Sequence, residues 1–283
     1  MVTAQNLGND LAVVHLVVRD YGFAPFDAFI ASYRRHHAGR PHRLILAAKQ
    51  FGSDRAFGPW AERLGGIPFE LVRVADQGLD IGSYARIAAM MQFERYFFCN
   101  SRTVILHDDW LEYLCAALDQ LPGGVVGATG SWQSVSSGHH RNLLRTSKWF
   151  GPLKRVRAFV GFAQRWADYP GFPNAHLRTN AFLIQRATMM ALSVPDISGK
   201  RDALRFESGR RSLTRQVQAN GAKVGVVDAM GKTHLAREWD RSGTFWQDDQ
   251  ADLLIGDNQT GKYACASDQE RRSLSAIAWK KPT

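Results

Sequence analysis

The 283-residue sequence lacks the features that mark several large classes of protein. Its three cysteines, Cys99, Cys115 and Cys265, have no CxxC spacing, which argues against a disulfide framework or a cysteine zinc site and favours a reducing compartment. No apolar run approaches the roughly 20 residues that cross a bilayer, and the polar N-terminus has no signal-peptide core. There is no glycine-rich dinucleotide fingerprint and no P-loop signature, so neither nucleotide-binding class has motif support.

Positive charge is what the chain has in excess. Lys and Arg total 36 against 26 Asp and Glu, giving a net charge of +10 and a pI near 9.8. This balance favours phosphates, nucleic acid or an anionic membrane as partners, although it also serves plain solubility. The segment 139–165 is basic, aromatic and free of acidic residues. It predicts either a surface facing an anionic membrane or lipid-diphosphate acceptor, or core helices with a solvated basic face.

Apolar runs of strand length alternate with helical patterns along most of the chain. The expected strands are 11–18, 44–48, 69–74, 96–99, 125–129, 179–185 and 224–227, and the expected helices are 25–36, 59–64, 83–91, 109–121, 187–192 and 213–219. This alternation predicts an α/β fold whose mostly parallel sheet is covered by helices on both faces. We expect one α/β domain over 11–230, a flexible N-terminus over 1–10, and an irregular C-terminal extension over 231–283 that packs on the domain.

Polar breaks follow three of the expected strands. Asp20 comes after the first strand, residues 76–80 after the third, and residues 100–102 after the fourth. Open sheets of this kind bind ligands beyond the carboxyl ends of their strands. We therefore expect a ligand cleft at that edge. Asp80, which opens a helix, could accept a ribose or base hydrogen bond there, or could serve only as a helix cap.

Further candidates lie in the second half of the chain. Trp132, in a Gly/Ser-rich stretch, could stack on a sugar or base, or belong to a flexible connection. Arg178 and Asn180 could meet phosphate or sugar hydroxyls. Glu207 stands among arginines, where it is either a surface ion pair or a general base that takes a proton from an acceptor hydroxyl. His234 follows an expected strand and is either structural or a ligand.

The order of these pieces resembles a known family. Asp-Ile-Gly-Ser-Tyr at 80–84, Phe-Phe-Cys-Asn-Ser-Arg at 97–102, and then Val-Gly-Ala-Thr-Gly-Ser-Trp, Arg-Thr-Asn-Ala-Phe and Phe-Glu-Ser-Gly look like a GT-A glycosyltransferase related to inverting family 2. The resemblance covers roughly residues 10–230. It implies a Rossmann-like GT-A fold and a cytoplasmic enzyme, at most peripheral to the inner face of the membrane. Such an enzyme moves a sugar from a nucleoside diphosphate to a glycan or lipid-linked hydroxyl in bacterial surface-polysaccharide synthesis.

The same resemblance assigns roles to individual residues. Asp80 is placed near the nucleoside, and Asn100 and Arg102 at the diphosphate. The remaining assignments give Tyr84, Arg178 and His234 to the donor, Trp132 and Asn180 to the acceptor, and Glu207 to the general base. If Glu207 is not the base, the candidates are Asp108, Asp109 and Asp240.

One departure from the family pattern concerns the metal. Arg102 stands where the family has a metal-binding carboxylate, so we expect weak or absent Mn²⁺ or Mg²⁺ dependence, with the guanidinium replacing the cation. The competing hypothesis is that Asp108, Asp109 or His234 rebuilds a metal site. Two other readings are a non-catalytic protein that binds nucleic acid or another polyanion and an inactive transferase-fold scaffold. The strong α/β alternation matches none of the usual small nucleic-acid-binding modules, so we expect no nucleic-acid partner.

Overall fold

The computed structural model describes residues 10–137 and 163–280. Their main elements, in chain order, are β1 Leu11–Val18, α1 Phe23–Arg35, β2 Arg43–Lys49, α2 Gly58–Arg63, β3 Glu70–Arg73, α3 Leu79–Met90, β4 Arg95–Cys99, β5 Val104–Ile105, α4 Trp110–Asp119, β6 Val125–Gly127, β7 Gly130–Ser131, β8 His176–Leu177, β9 Ala181–Gln185, α5 Arg186–Ala191, α6 Lys200–Ser208, α7 Leu213–Ala219, β10 Val224–Val227, β11 Thr233–Leu235, β12 Ile255–Gly256, α8 Asn258–Ala264 and α9 Asp268–Trp279. Several fall where the apolar pattern predicts them, and β1, α7 and β10 match to the residue.

A sheet of eight strands organises the molecule. Its order is β11-β10-β6-β9-β4-β1-β2-β3. Strands β1 to β4 are mutually parallel, β6 and β10 run in the same direction as they do, and β9 and β11 run against them. The expectation of an α/β fold with a mostly parallel sheet is therefore confirmed.

Both faces of the sheet are buried under helices. Along β4, Phe97 joins the core cluster that contains residues of α1, α2 and α4, whereas Phe98 joins the cluster that contains residues of α3, α5 and α6. Successive strand side chains point to opposite faces, so a strand covered on both sides needs a continuous apolar run. Burying each such side chain stabilises the fold by about 1.5–3 kcal/mol.

The C-terminal region is more regular than the sequence suggested. The expectation of an irregular extension after residue 230 is wrong, because β11 joins the main sheet and two helices follow. Helix α8 begins with a capping box from Asp257 and Thr260, and α9 with one from Ser267 and Glu270. These signals are readable in the sequence but are short and lie in a polar context. The region packs on the earlier part of the chain, since the Trp132 amide donates to the carbonyl of Ala278 at 3.1 Å.

Two sequence expectations fall on residues that the structure leaves undescribed. The N-terminus 1–10 is described only from Asp10, and the basic segment 139–165 only from residue 163. Within residues 10–137 and 163–280, no helix has both the length and the apolar character to cross a bilayer.

Candidate functional site

The strand order reverses between β1 and β4. From β1 the chain continues outward to β2 and β3, and then returns to place β4 on the other side of β1. Ligands of open α/β sheets bind in the crevice at such a switch point. Here Tyr21 follows β1 and Arg102 follows β4, and the Arg102 guanidinium carbon lies 5.1 Å from the centre of the Tyr21 ring. Both side chains are exposed, so this switch point presents a cation to solvent.

The turn after β4 fixes the backbone at Arg102. The Asn100 side-chain oxygen accepts hydrogen bonds from the Arg102 amide at 2.9 Å and from the Thr103 hydroxyl at 3.3 Å. This local bonding is typical of Asn at turns. The side-chain oxygen of Asn100 therefore stabilises the turn through these two hydrogen bonds. The Arg102 guanidinium forms no ion pair with any described residue.

A strained turn opens α3 beside the crevice. Gly78 has φ of 91° and Leu79 has φ of 46°, a region that side-chain-bearing residues rarely adopt. The carbonyl of Leu79 accepts hydrogen bonds from the Lys49 ammonium and the Ser83 hydroxyl, each at 2.7 Å. Sequence reasoning missed Lys49, although a lysine closing an apolar strand was the available signal. Its burial lowers its pKa.

Asp80 lies in the first turn of α3 and faces a second carboxylate. Burial raises the pKa of Asp80, and the nearby Glu207 carboxylate raises it further, while the Lys49 ammonium opposes both. Its Oδ1 accepts a hydrogen bond from the Ile81 amide at 3.0 Å. The two carboxylates, predicted separately from distant segments, are thus brought within electrostatic reach of each other.

Glu207 is held by Thr179, just before β9. Its Oε2 accepts hydrogen bonds from the Thr179 amide at 2.9 Å and the Thr179 hydroxyl at 2.8 Å. No described residue donates to Oε1, and Glu207 pairs with none of the arginines beside it in sequence, contrary to the surface ion-pair interpretation. The next carbonyl, that of Asn180, accepts from the Asn100 amide at 2.9 Å. Glu207 and the Arg102 turn are therefore joined through adjacent strands.

A buried histidine lies near Glu207. The Nδ1 of His176 is 2.7 Å from the Asn174 carbonyl, which can only accept, so this nitrogen carries the proton and Nε2 is left with a lone pair. Burial lowers the pKa of His176, and the Glu207 carboxylate partly opposes this effect. Sequence reasoning missed His176, because it sits in a two-residue strand with no recognisable motif.

Two residues expected at the donor already have ionic partners. Arg178 donates to Asp257 Oδ2 at 2.7 Å, with side-chain exposures of 12% and 1%. His234 lies on the edge strand β11, and its Nε2 is 2.8 Å from Asp228 Oδ2. In the described conformation the Arg178 guanidinium and His234 Nε2 each contact a carboxylate, and their assignment to the donor stays a prediction. Asp257 comes from a distant segment, which sequence reasoning could not pair with Arg178, whereas Asp228 lies six positions before His234 at the turn between β10 and β11.

Two further candidates, Tyr84 and Asn180, are buried, and a third, Trp132, is half-buried. Tyr84 is completely buried, with its ring stacked 4.7 Å from that of Phe98. The Trp132 indole donates to the Ala236 carbonyl at 2.8 Å, and the Asn180 side-chain oxygen accepts from the Thr129 hydroxyl at 3.0 Å. Tyr84 and Asn180 are too buried to touch a ligand directly in this conformation, and the polar edge of Trp132 is occupied.

The turn at Asn100–Arg102 does not suit a divalent cation. An amide oxygen already bonded within its turn, a hydroxyl and a guanidinium replace the hard oxygen ligands that Mg²⁺ or Mn²⁺ prefer. Asp108 and Asp109 cannot rebuild the site, because they contact His36 and His37, which follow α1 at the opposite, amino edge of the sheet. In the described parts of the chain, no group of three or more His, Cys, Asp or Glu could hold a metal ion.

Comparisons with known proteins do not extend this picture. No protein-family model matches the chain, and a search of curated proteins finds no match either. The geometry and chemistry of the crevice are therefore the basis for a function. They combine a free guanidinium at a switch point with two neighbouring carboxylates, of which one is firmly positioned.

Proposed function

We propose that the chain is a GT-A-type glycosyltransferase that moves a sugar from a nucleoside diphosphate to a hydroxyl acceptor. The observation that carries the proposal is the exposed Arg102 guanidinium, which leans over Tyr21 at the switch point between β1 and β4 and has no described anionic partner. Because ligands of this fold class bind at that crevice, an unpaired cation there suits an anionic group.

In this proposal the Arg102 guanidinium binds the leaving diphosphate. Departure of the donor's diphosphate places negative charge on the leaving oxygen, and a preorganised positive group stabilises it. A guanidinium bonds phosphate oxygens bidentately and stays charged at any working pH. The turn held by Asn100 fixes the backbone from which Arg102 projects. We assign Arg102 to the diphosphate and Asp80, at the start of α3, to the nucleoside.

Glu207 supplies the acceptor chemistry. Thr179 holds Oε2 through two hydrogen bonds, which leaves Oε1 as the acceptor for a proton from the incoming hydroxyl. A positioned base of this kind contributes about 10²–10⁴ in rate. The proton moves from the acceptor oxygen to Glu207 as that oxygen bonds the sugar's anomeric carbon, and the bond from this carbon to the diphosphate breaks.

The acceptor and location follow from the same proposal. We infer a glycan or lipid-linked acceptor and a cytoplasmic enzyme that can approach the inner face of the membrane. The cysteines support a reducing compartment, since Cys99, Cys115 and Cys265 are all free thiols.

A thermal-shift screen with UDP, GDP, CDP, TDP and their sugars tests the proposal. A ligand at about 100 times its Kd stabilises the protein by roughly 2.7 kcal/mol. We expect one nucleotide class to raise the Tm, and Arg102→Ala to reduce that shift. The matched control is Arg35→Ala, because Arg35 is an exposed arginine with no described side-chain partner. No shift with any nucleotide, together with filter binding of single-stranded DNA or RNA, would favour a nucleic-acid-binding protein instead.

A further inference from the structure

A second concave surface lies on another side of α6. A cavity of about 590 Å³ opens between this helix and the segment that follows α5. Its described lining residues are Ala167, Asp168, Ser193, Pro195, Arg205, Phe206, Arg210 and Arg211. The volume falls within the range of about 300–1,000 Å³ that is usual for small-molecule sites.

Cations outnumber anions around this cavity. Asp168 is the one carboxylate among the described lining residues, and it accepts from Arg205 at 2.7 Å. Arg210 donates to the backbone carbonyls of Trp166 and Ala167, which carry no net charge. Arg211 forms no side-chain hydrogen bond or ion pair with a described residue. Two of the three guanidinium charges are therefore left without a counter-ion.

Two buried nitrogen atoms add donors without partners. The Nε atoms of Arg205 and of Arg215, on the neighbouring helix α7, are buried and have no hydrogen-bond partner among the described residues. Burial lowers the pKa of Arg215, and the nearby Arg210 charge lowers it further. The crowding of the Arg210 and Arg215 charges costs free energy, which an anion bound at Arg210 would reduce.

We propose that this cavity binds a small ligand of sugar size that carries a phosphate or carboxylate group. Arg210 and Arg211 meet the anion, and the Ser193 hydroxyl, which bonds no described residue, is available to a neutral hydroxyl of the ligand. The site is separate from the crevice at Arg102. Arg205 and Glu207 are two positions apart, which places them about 200° apart around α6. This proposal therefore stands whether or not Glu207 is a catalytic base.

Isothermal titration of the full chain with glucose 1-phosphate, glucuronate and neutral glucose tests the inference. We expect an anionic probe to bind with a Kd below about 1 mM, and glucose to bind at least tenfold more weakly. The anionic probe that binds more tightly identifies the group. Arg211→Gln should weaken that binding about tenfold or more, whereas Arg211→Lys should restore much of it.

Two controls keep the test decisive. Arg272→Gln removes an exposed arginine of α9 that has no described side-chain partner and should leave binding unchanged. Glu207→Gln should also leave binding unchanged, which separates this cavity from the proposed transfer site. The inference is overturned by no binding of either anionic probe, by equal binding of glucose, or by equal losses in Arg211→Gln and Arg272→Gln.

Discussion

Replacing Glu207 by Gln tests the central mechanistic assignment with little structural change. The substitution removes the charge and the ability to take a proton, but keeps an oxygen that can accept from Thr179. Loss of a positioned base slows turnover by about 10²–10⁴, and at 1.36 kcal/mol per tenfold this raises the barrier by roughly 3–5 kcal/mol.

The effect of this substitution on stability should be much smaller. Both hydrogen bonds from Thr179 persist with a neutral acceptor, so we expect a change of about 1 kcal/mol or less. Glu207→Ala differs, because it leaves the buried Thr179 amide without an acceptor at a cost of about 1–3 kcal/mol. The pair of variants therefore separates loss of chemistry from loss of stability.

The assay measures release of nucleoside diphosphate from the donor that stabilises the protein most, together with donor affinity by titration. Glu207→Gln should bind the donor normally and turn over slowly. Glu62→Gln, which changes an exposed glutamate on α2 with no described side-chain partner, is the matched control. Turnover of Glu207→Gln within about threefold of the unaltered protein, well below the usual effect of a base, would refute the assignment.

Three further predictions concern the metal, a buried ion pair and pH. Activity should survive EDTA, and Arg102→Ala should weaken donor binding and slow transfer together; complete loss in EDTA that Mn²⁺ restores would contradict this. Arg178→Met leaves the Asp257 carboxylate buried and unpaired, so urea unfolding should show a loss of about 3–5 kcal/mol, and a loss below about 1 kcal/mol would rule out a strong buried pair. Because folding raises the pKa of Asp80, the native protein loses stability as pH rises from the usual Asp value, near 3.9, through the folded value. Asp80→Asn avoids that loss, so this variant should be more stable than the unaltered protein at neutral pH and equally stable near pH 3. If the two proteins are equally stable at both pH values, burial does not disfavour the charged form of Asp80.

Local sequence pattern determined much of the fold. Continuous apolar runs such as Leu11–Val18 predict strands buried on both faces, and their alternation with helical patterns predicts a mostly parallel sheet. The sequence also shows the polar residues that follow β1, β3 and β4. Since the carboxyl ends of parallel strands share one edge, the sequence predicts a ligand cleft at that edge, near Asp80 and Arg102.

Only the tertiary structure decided which polar residues are free to act. In sequence, Arg178 and His234 resemble the unpaired Arg102, but Arg178 meets Asp257 of a distant segment and His234 meets Asp228 at the other end of its own hairpin turn. Tyr84 lies in a promising motif, yet its helical position turns it into the core. Partner choice and burial depend on contacts between residues far apart in the chain, which local pattern does not encode. The same reason explains why sequence proposed Glu207 as a candidate, while the fold supplied its neighbours Thr179 and Asp80.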